Sequence, residues 1–170
     1  MIEIVQNGNK VLRQIAKEIT DKEFGSKKLM QILVDMNEAL ESQDDGVALA
    51  APQIGISKRI FIVSPKVFRD KDIPKNLPLI YINPVITKTS KDKKKMDEGC
   101  LSVRPLYGIV KRASRATIEA QDVHGEKFSL TATGLIAQIF QHETDHLNGI
   151  LFIDKATDIT ELNLDKNEKK

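Results

Sequence analysis

The sequence contains no tryptophan, and only 5% of its 170 residues are aromatic. Proteins that bind single-stranded nucleic acid commonly stack bases on aromatic side chains, and this composition offers little for that purpose. The 26 basic residues face 24 acidic ones, so the formal charge of +2 is also too balanced to indicate a nucleic-acid-binding protein. We therefore expect no direct binding of nucleic acid.

Cysteine and long apolar runs are also scarce. The single cysteine, Cys100, cannot form an internal disulfide. No apolar stretch approaches the roughly 18 residues of a membrane span, and the first residues lack the pattern of a secretory signal. We expect a cytoplasmic protein without membrane association, built as one catalytic domain over residues 1–170 with a C-terminal tail from about residue 155.

Two of the three histidines lie four residues apart, in His142-Glu143-Thr144-Asp145-His146. On a helix, such residues share one face, so His142 and His146 can bind one metal ion while Glu143 reaches a water molecule beside it. The alternative is an amphipathic helix that carries two histidines by chance. The spacing favours a centre for metal-assisted hydrolysis.

A catalytic metal usually has three protein ligands, so a third is needed. Cys100 is one candidate, although a lone cysteine is by default a small buried hydrophobic residue. A downstream carboxylate such as Glu161 is the other, and it would indicate a metallopeptidase. Asp145 is either a solvent-facing carboxylate of the helix or a group that orients a ligand.

A third segment, residues 46–55, is rich in small residues that allow a backbone to approach a ligand closely. Its Gln53 offers a side-chain amide as a donor. Together with Glu98-Gly-Cys-Leu-Ser102 and Gln141-His-Glu-Thr-Asp-His146, in this order, the segment resembles the signature motifs of the peptide deformylase family. The resemblance extends from about Leu12 to about Asp154.

The resemblance implies roles for individual residues. It makes Cys100, His142 and His146 the metal ligands and Glu143 the general acid and base. It makes Gln53 and the Leu101 backbone N–H the donors to the formyl oxygen, and it pairs Glu98 with Arg112 in a structural salt bridge. It also implies a set of residues that surround the substrate: Gly46, Val47, Ala48, Leu49, Gly99, Leu135, Gln138 and Ile139.

The family removes the formyl group from N-formylmethionine at the start of new polypeptides and releases formate. The resemblance therefore implies one divalent metal ion, generally Fe²⁺, with Zn²⁺, Ni²⁺ or Co²⁺ able to replace it. Nascent chains are the expected partners, with transient proximity to the ribosome. Ala48 and Gln138 depart from the usual motifs, as does the segment Arg104-Pro-Leu-Tyr107, so altered specificity or a non-catalytic metal-binding role is the alternative.

The pattern of apolar residues predicts helices over residues 10–17 and 26–42, the second with Ser26 as its N-cap. It predicts strands over residues 59–63, 79–82 and 116–120 and a hairpin that returns over residues 128–132, with His124 exposed in its turn. Thr133 caps the ligand helix, which ends at Asn148-Gly149. We expect an α+β fold with antiparallel or mixed sheets around a central metal-binding helix.

Two polar segments receive simpler predictions. The lysine-rich residues 91–95 are expected to form a solvated loop. The tail from Asp154 carries five carboxylates against four lysines and has little apolar spacing. We expect it to form a short helix or a frayed tail that packs on its own domain, without strong ribosome affinity through this segment.

Overall fold

The computed structural model describes residues 2–162, which contain two α-helices and eight strands. The helices are α1, Lys27–Glu41, and α2, Gly134–Leu147. The strands, in chain order, are β1 Ala48–Ala50, β2 Ile60–Val63, β3 Ile80–Thr89, β4 Lys93–Gly99, β5 Leu106–Ala113, β6 Arg115–Gln121, β7 Lys127–Thr133 and β8 Thr157–Glu161.

The strands form two antiparallel sheets, with strand orders β1-β2-β3-β6-β7 and β4-β5-β8. Helix α2 contacts strands of both sheets. Its apolar side buries Ile136, Ile139 and Phe140 in a core that also contains Phe61 and Tyr81, whose rings stack. The predicted α+β fold around a central helix is confirmed.

Helix α1 agrees closely with its prediction. The Ser26 hydroxyl accepts a hydrogen bond from the Leu29 N–H at 3.1 Å, which is the expected N-cap contact. The predicted apolar positions are buried against β1 and β2 in a second core cluster. The β6–β7 hairpin is also confirmed, with His124 exposed in its turn. Thr133 occupies the N-cap position of α2, but its side chain makes no capping hydrogen bond.

The helix predicted over residues 10–17 is wrong beyond its first turn. Only Lys10–Arg13 is helical, as a single 3₁₀ turn. The Ala16 N–H donates to the Leu147 carbonyl at the end of α2, and Lys17 forms a parallel bridge with Lys58. Tertiary backbone hydrogen bonds therefore replace those that a longer helix would have made.

The structure also corrects two predictions about polar segments, both of which contribute to the three-stranded sheet β4-β5-β8. Residues 93–95 belong to strand β4, which pairs with β5 from Lys93 to Gly99, and do not form a loop. Apart from Asp154, which ends the 3₁₀ turn Phe152–Asp154, the described part of the tail is not helical, because Thr157–Glu161 forms β8 and pairs with β5. It does pack on its own domain, and residues 163–170 lie outside the described range. None of the helices within residues 2–162 is long and apolar enough to cross a membrane.

Candidate metal centre and active site

The three predicted ligands meet where α2 passes the end of β4. Their ligand atoms, the Cys100 thiol and one imidazole nitrogen each of His142 and His146, lie within 4.8 Å of one another. The Cys100 Sγ and His146 Nε2 atoms are 3.1 Å apart. One turn of α2 separates the two rings, and Cys100 directly follows Gly99, the last residue of β4. This donor set suits iron, zinc, cobalt or nickel.

The two histidines differ in their second nitrogen. His142 Nδ1 lies 2.5 Å from Glu98 Oε1. The contacts of His142 with Cys100 and Glu98 outweigh burial and raise its pKa well above the ordinary value, so a metal ion that binds this imidazole displaces a proton. His146 Nδ1 is buried and has no partner within residues 2–162. Burial lowers the pKa of His146 well below its ordinary value, which keeps its imidazole neutral and able to bind a metal ion.

Glu98 is held by several donors at once. Besides His142, Arg112 donates to it through Nη2 at 2.5 Å and through Nε at 3.0 Å. Burial alone would raise the pKa of Glu98, but the hydrogen bonds of His142 and Arg112 outweigh burial and lower that pKa to about 2. Both members of the predicted Glu98–Arg112 pair are buried, and Glu98 contacts His142, one of the predicted ligands.

Asp145 extends this support. Its Oδ2 accepts a hydrogen bond from Arg112 Nη1 at 2.6 Å, and Lys155 Nζ donates to the same carboxylate at 2.9 Å. The Asp145 side chain is only 15% exposed. Of the two alternatives for this residue, the structure favours the orienting one, because Asp145 reaches His142 through Arg112 and Glu98.

Glu143 differs from its neighbours in having no such support. It is 4% exposed, and its Oε2 has no hydrogen-bond partner within the described residues. Burial raises the pKa of its carboxyl group to about 7. An unpartnered carboxyl group with a pKa near neutrality has the capacity to accept and to return a proton.

Gln53 contacts the Cys100 thiol and a neighbouring hydroxyl group. The Gln53 Oε1 accepts from the Ala50 N–H at 2.8 Å, which turns its Nε2 toward Ser102 Oγ at 3.2 Å and Cys100 Sγ at 3.6 Å. Gln53 is positioned by the 3₁₀ turn Ala51–Ile54 and is 1% exposed. These contacts place one amide N–H group beside the proposed ligand Cys100.

A cavity of about 220 Å³ opens beside the centre. Cys100, His142 and Glu143 line it, together with Gln53 and Leu101. Seven of the eight residues expected around the substrate also line it: Gly46, Val47, Ala48, Gly99, Leu135, Gln138 and Ile139. Leu49 is the exception, because its side chain is 0% exposed and packs into the α1 core. Successive residues of a strand point to opposite faces, so Ala48 and Leu49 cannot both face the cavity.

Gln138 reaches the cavity but is not a free amide. Its Nε2 donates to the Asp97 carbonyl at 3.0 Å and to Glu98 Oε2 at 3.3 Å. The side chain therefore ties α2 to β4 and adds a further donor to Glu98. Because this nitrogen has hydrogen-bond partners, the free-energy cost of an unpaired buried amide does not arise here.

Four cavity residues were not assigned from the sequence: Asp45, Asp97, Arg104 and Tyr107. Arg104 Nη2 donates to Asp45 Oδ1 at 2.7 Å, although 59 residues separate them. Tyr107 pairs with Gly99 across β4 and β5, and a Cβ atom at position 99 would overlap its ring. Arg104 and Tyr107 belong to the segment that the sequence marks as a departure from the family motifs. No sequence pattern indicated that Asp45 or Asp97 would reach the cavity, because their positions depend on contacts between distant segments.

A helix that brings two histidines to a cysteine thiol, beside a buried and unpartnered carboxyl group, has the features of a metal-dependent hydrolase. The chain matches the family model of polypeptide deformylase over residues 1–161 and belongs to that family. It is an enzyme of this kind, a hydrolase that removes the formyl group from N-formylmethionyl peptides.

Peptide deformylases from other organisms are similar to this chain along most of its length. A peptide deformylase of Microchaete diplosiphon is 41% identical over 149 residues, which are 88% of this chain and 75% of that protein. One from Carboxydothermus hydrogenoformans is 41% identical over 156 residues, 92% of this chain and 93% of that protein. The structure of an Acinetobacter baumannii class I type b peptide deformylase with bound Met-Ala-Ser has a TM-score of 0.81 and 34% identity, and the match covers 91% and 98% of the two chains.

Proposed function

We propose that the chain acts on the N-terminal formylmethionine of newly made polypeptides and releases formate, with one divalent metal ion held by Cys100, His142 and His146. The observation that carries the proposal is the meeting of these three ligands, within 4.8 Å, at a cavity that also exposes Glu143. A metal ion held there supplies Lewis acidity, which polarises a carbonyl oxygen and acidifies a neighbouring water molecule.

Glu143 is the proposed general base and general acid. Its carboxylate takes a proton from the water that adds to the formyl carbon. The same carboxyl group then returns that proton to the leaving amine as the carbon–nitrogen bond breaks. Among the described residues, none forms a hydrogen bond with Glu143 Oε2, which supports this role because a partner would compete for the proton.

Gln53 and Leu101 are the proposed donors to the formyl oxygen, on which negative charge grows as water adds. Within residues 2–162 the Leu101 N–H makes no other hydrogen bond, while its carbonyl accepts from Gln6 Nε2 at 2.9 Å. The Gln53 amide is fixed by Ala50 before substrate arrives. Donors that are already oriented lower the free energy of the transition state without reorganisation.

The methionine side chain is proposed to bind between α2 and the loop that enters β1. Leu135 and Ile139 give this part of the cavity apolar surface, and Val47 and Ala48 line it from the start of β1. The Acinetobacter baumannii relative was solved with Met-Ala-Ser, a peptide that begins with methionine. A peptide of that form is what remains after the formyl group has been removed.

We further propose Fe²⁺ as the metal in the cell, with Zn²⁺, Ni²⁺ or Co²⁺ as substitutes, because one thiolate and two imidazoles accept all four ions. The substrate, a new polypeptide, places the enzyme in the cytoplasm, near the ribosome for at least part of each cycle. The whole chain would then serve as a single catalytic domain.

The proposal is tested by anaerobic purification, metal analysis and measurement of formate released from formyl-Met-Ala-Ser, with acetyl-Met-Ala-Ser as the control substrate. We expect about one metal ion per chain and turnover of the formyl peptide only. The Glu143→Gln variant should keep its metal and lose turnover by about 10²–10⁴, the range for a general acid or base. Near-normal formate release by this variant would contradict the assigned mechanism.

A further inference from the structure

A second concave surface lies on the small sheet, outside the candidate active site. It is a cavity of about 570 Å³ lined by residues of β3, β4, β5, α2 and β8 and by Lys155. Five of the lining residues are basic: Lys93, Lys95, Lys111, Arg112 and Lys155. No aspartate or glutamate is among the described residues that line it.

Two of these cations are already neutralised. Arg112 is paired with Glu98 and Asp145, and Lys155 is paired with Asp145. The remaining three, Lys93, Lys95 and Lys111, are exposed and form no salt bridge or side-chain hydrogen bond within residues 2–162. We call these three residues the lysine row.

The strand register places the lysine row on one face of the sheet. Lys95 lies directly opposite Lys111 in the antiparallel β4–β5 pair, and Lys93 is two residues before Lys95. Residues opposite each other in such a pair share a face, as do residues two apart in one strand. Like charges directly opposite are destabilising, so an anion bound between them would remove a repulsion that the free protein retains.

The shape of the lysine row favours a polymer over a single small anion. Lys93 and Lys95 are separated by about 6.8 Å along β4, and Lys111 lies beside Lys95 on β5, so the three backbone positions spread over two strands and do not meet at one point. A single strand of nucleic acid presents several phosphates over such a distance. None of the described residues that line the cavity is aromatic, so binding would depend on phosphate charge and not on base stacking.

We propose that the lysine row binds the phosphate backbone of single-stranded nucleic acid, independently of base sequence. The near balance of charge over the whole chain predicted no such binding, because that sum hides the uneven distribution of charge on the surface. The proposal goes beyond the deformylase reaction, since none of the three lysines lines the active-site cavity.

The test is fluorescence anisotropy of a labelled twelve-residue oligouridylate titrated with the metal-loaded enzyme. Three phosphates neutralised on a single strand predict a slope of about −2 for the logarithm of the binding constant against the logarithm of salt concentration. Affinity should therefore fall about twentyfold between 50 and 200 mM salt. Binding that does not respond to salt would overturn the proposal.

The triple variant Lys93→Gln, Lys95→Gln, Lys111→Gln should bind the RNA at least tenfold more weakly, with unchanged formate release. The matched control is Lys22→Gln, Lys27→Gln, Lys28→Gln, which removes the same charge from exposed residues outside the cavity. The control should bind like the unmodified enzyme. An equal loss in the control would overturn the proposal, because net charge alone would then explain binding.

The last arm replaces RNA with a twelve-residue polyglutamate carrying the same label. We expect it to bind more weakly than the oligouridylate, and equal or tighter binding would assign the surface to acidic protein and overturn the nucleic-acid proposal. These measurements need no turnover, so the Glu143→Gln enzyme should give the same binding constants. Failure of the deformylase mechanism would thus remain distinguishable from failure of this proposal.

Discussion

The two walls of the active-site cleft are held together in different ways. One wall is formed by α2, β4 and β5, and we call it the helix wall. There Glu98 forms hydrogen bonds with His142, Arg112 and Gln138, and the Glu98 and Arg112 side chains are 4% and 3% exposed. The other wall is formed by the segments that contain Asp45 and Arg104, and we call it the loop wall. The side chains of its ion pair, Arg104 and Asp45, are 34% and 55% exposed. The predicted ligand His142 therefore belongs to a buried frame with several hydrogen bonds, whereas the opposite wall is joined by an ion pair in contact with water.

This difference has a direct consequence for energetics. Removing one partner of a buried ion pair leaves an uncompensated charge and typically costs about 3–5 kcal/mol. An exposed pair is screened by water and typically contributes about 0–1 kcal/mol. We therefore expect changes on the helix wall to affect the fold or the metal, and changes on the loop wall to affect mainly how substrate is received.

The largest effect is expected at the ligands. Because each ligand supplies one of only three protein donors, Cys100→Ser, His142→Ala and His146→Ala should each reduce bound metal far below one equivalent and abolish formate release. Metal analysis and turnover assays on the purified variants provide the measurement. Full occupancy in Cys100→Ser would show that another group is the third ligand.

The second-largest effect, on the free energy of unfolding, is expected at Arg112, and Arg104 provides the comparison. Arg112→Leu should lower the free energy of unfolding by about 3–5 kcal/mol, because Glu98 then remains buried without its main cation. Arg104→Leu removes an arginine from an exposed pair and should cost no more than about 1 kcal/mol. Urea denaturation of both variants measures the difference. Similar decreases in the free energy of unfolding of the two variants would mean that the two walls do not differ in their contribution to stability.

A smaller effect is expected at Gln138, which belongs to the helix wall but also lines the cavity. Gln138→Leu adds apolar surface for a methionine side chain and removes one of several donors to Glu98. We expect kcat/KM for formyl-Met-Ala-Ser to rise about fivefold, equivalent to about 1 kcal/mol, with unchanged metal content. Gln138→Ala, which lacks the added surface, is the control. If neither variant changes kcat/KM, the side chain does not contact substrate.

The smallest effect concerns the loop wall alone. Asp45→Asn weakens the link to Arg104 and leaves that arginine with more positive charge at the cavity mouth. Stability should change by less than about 1 kcal/mol. Any kinetic change should appear in KM and should diminish at high salt, because both charges are exposed. A change in kcat without a change in KM would place Asp45 closer to the reacting groups than the structure does.

Local patterns predicted the parts of this fold that depend on neighbouring residues. Helix α1, the β6–β7 hairpin and the ligand helix each carry a periodic apolar pattern with recognisable ends. Strand β4 was missed because Lys93-Lys-Lys-Met-Asp has no alternation of apolar and polar residues and is stabilised by its backbone pairing with β5. Strand β8 was missed for the same reason, since four of its five residues are polar and all five are exposed.

The sequence by itself determined which residues can perform the chemistry, because the four-residue spacing of His142 and His146 on a helix already places two imidazoles on one face. It also determined the family, through three short motifs. Only the tertiary structure decided that Cys100, 46 residues before His146, lies 3.1 Å from it. It likewise decided that Glu98 supports His142 and that three lysines share one face of a sheet. These contacts join distant segments, and such contacts depend on how strands pair and how helix α2 packs between the sheets.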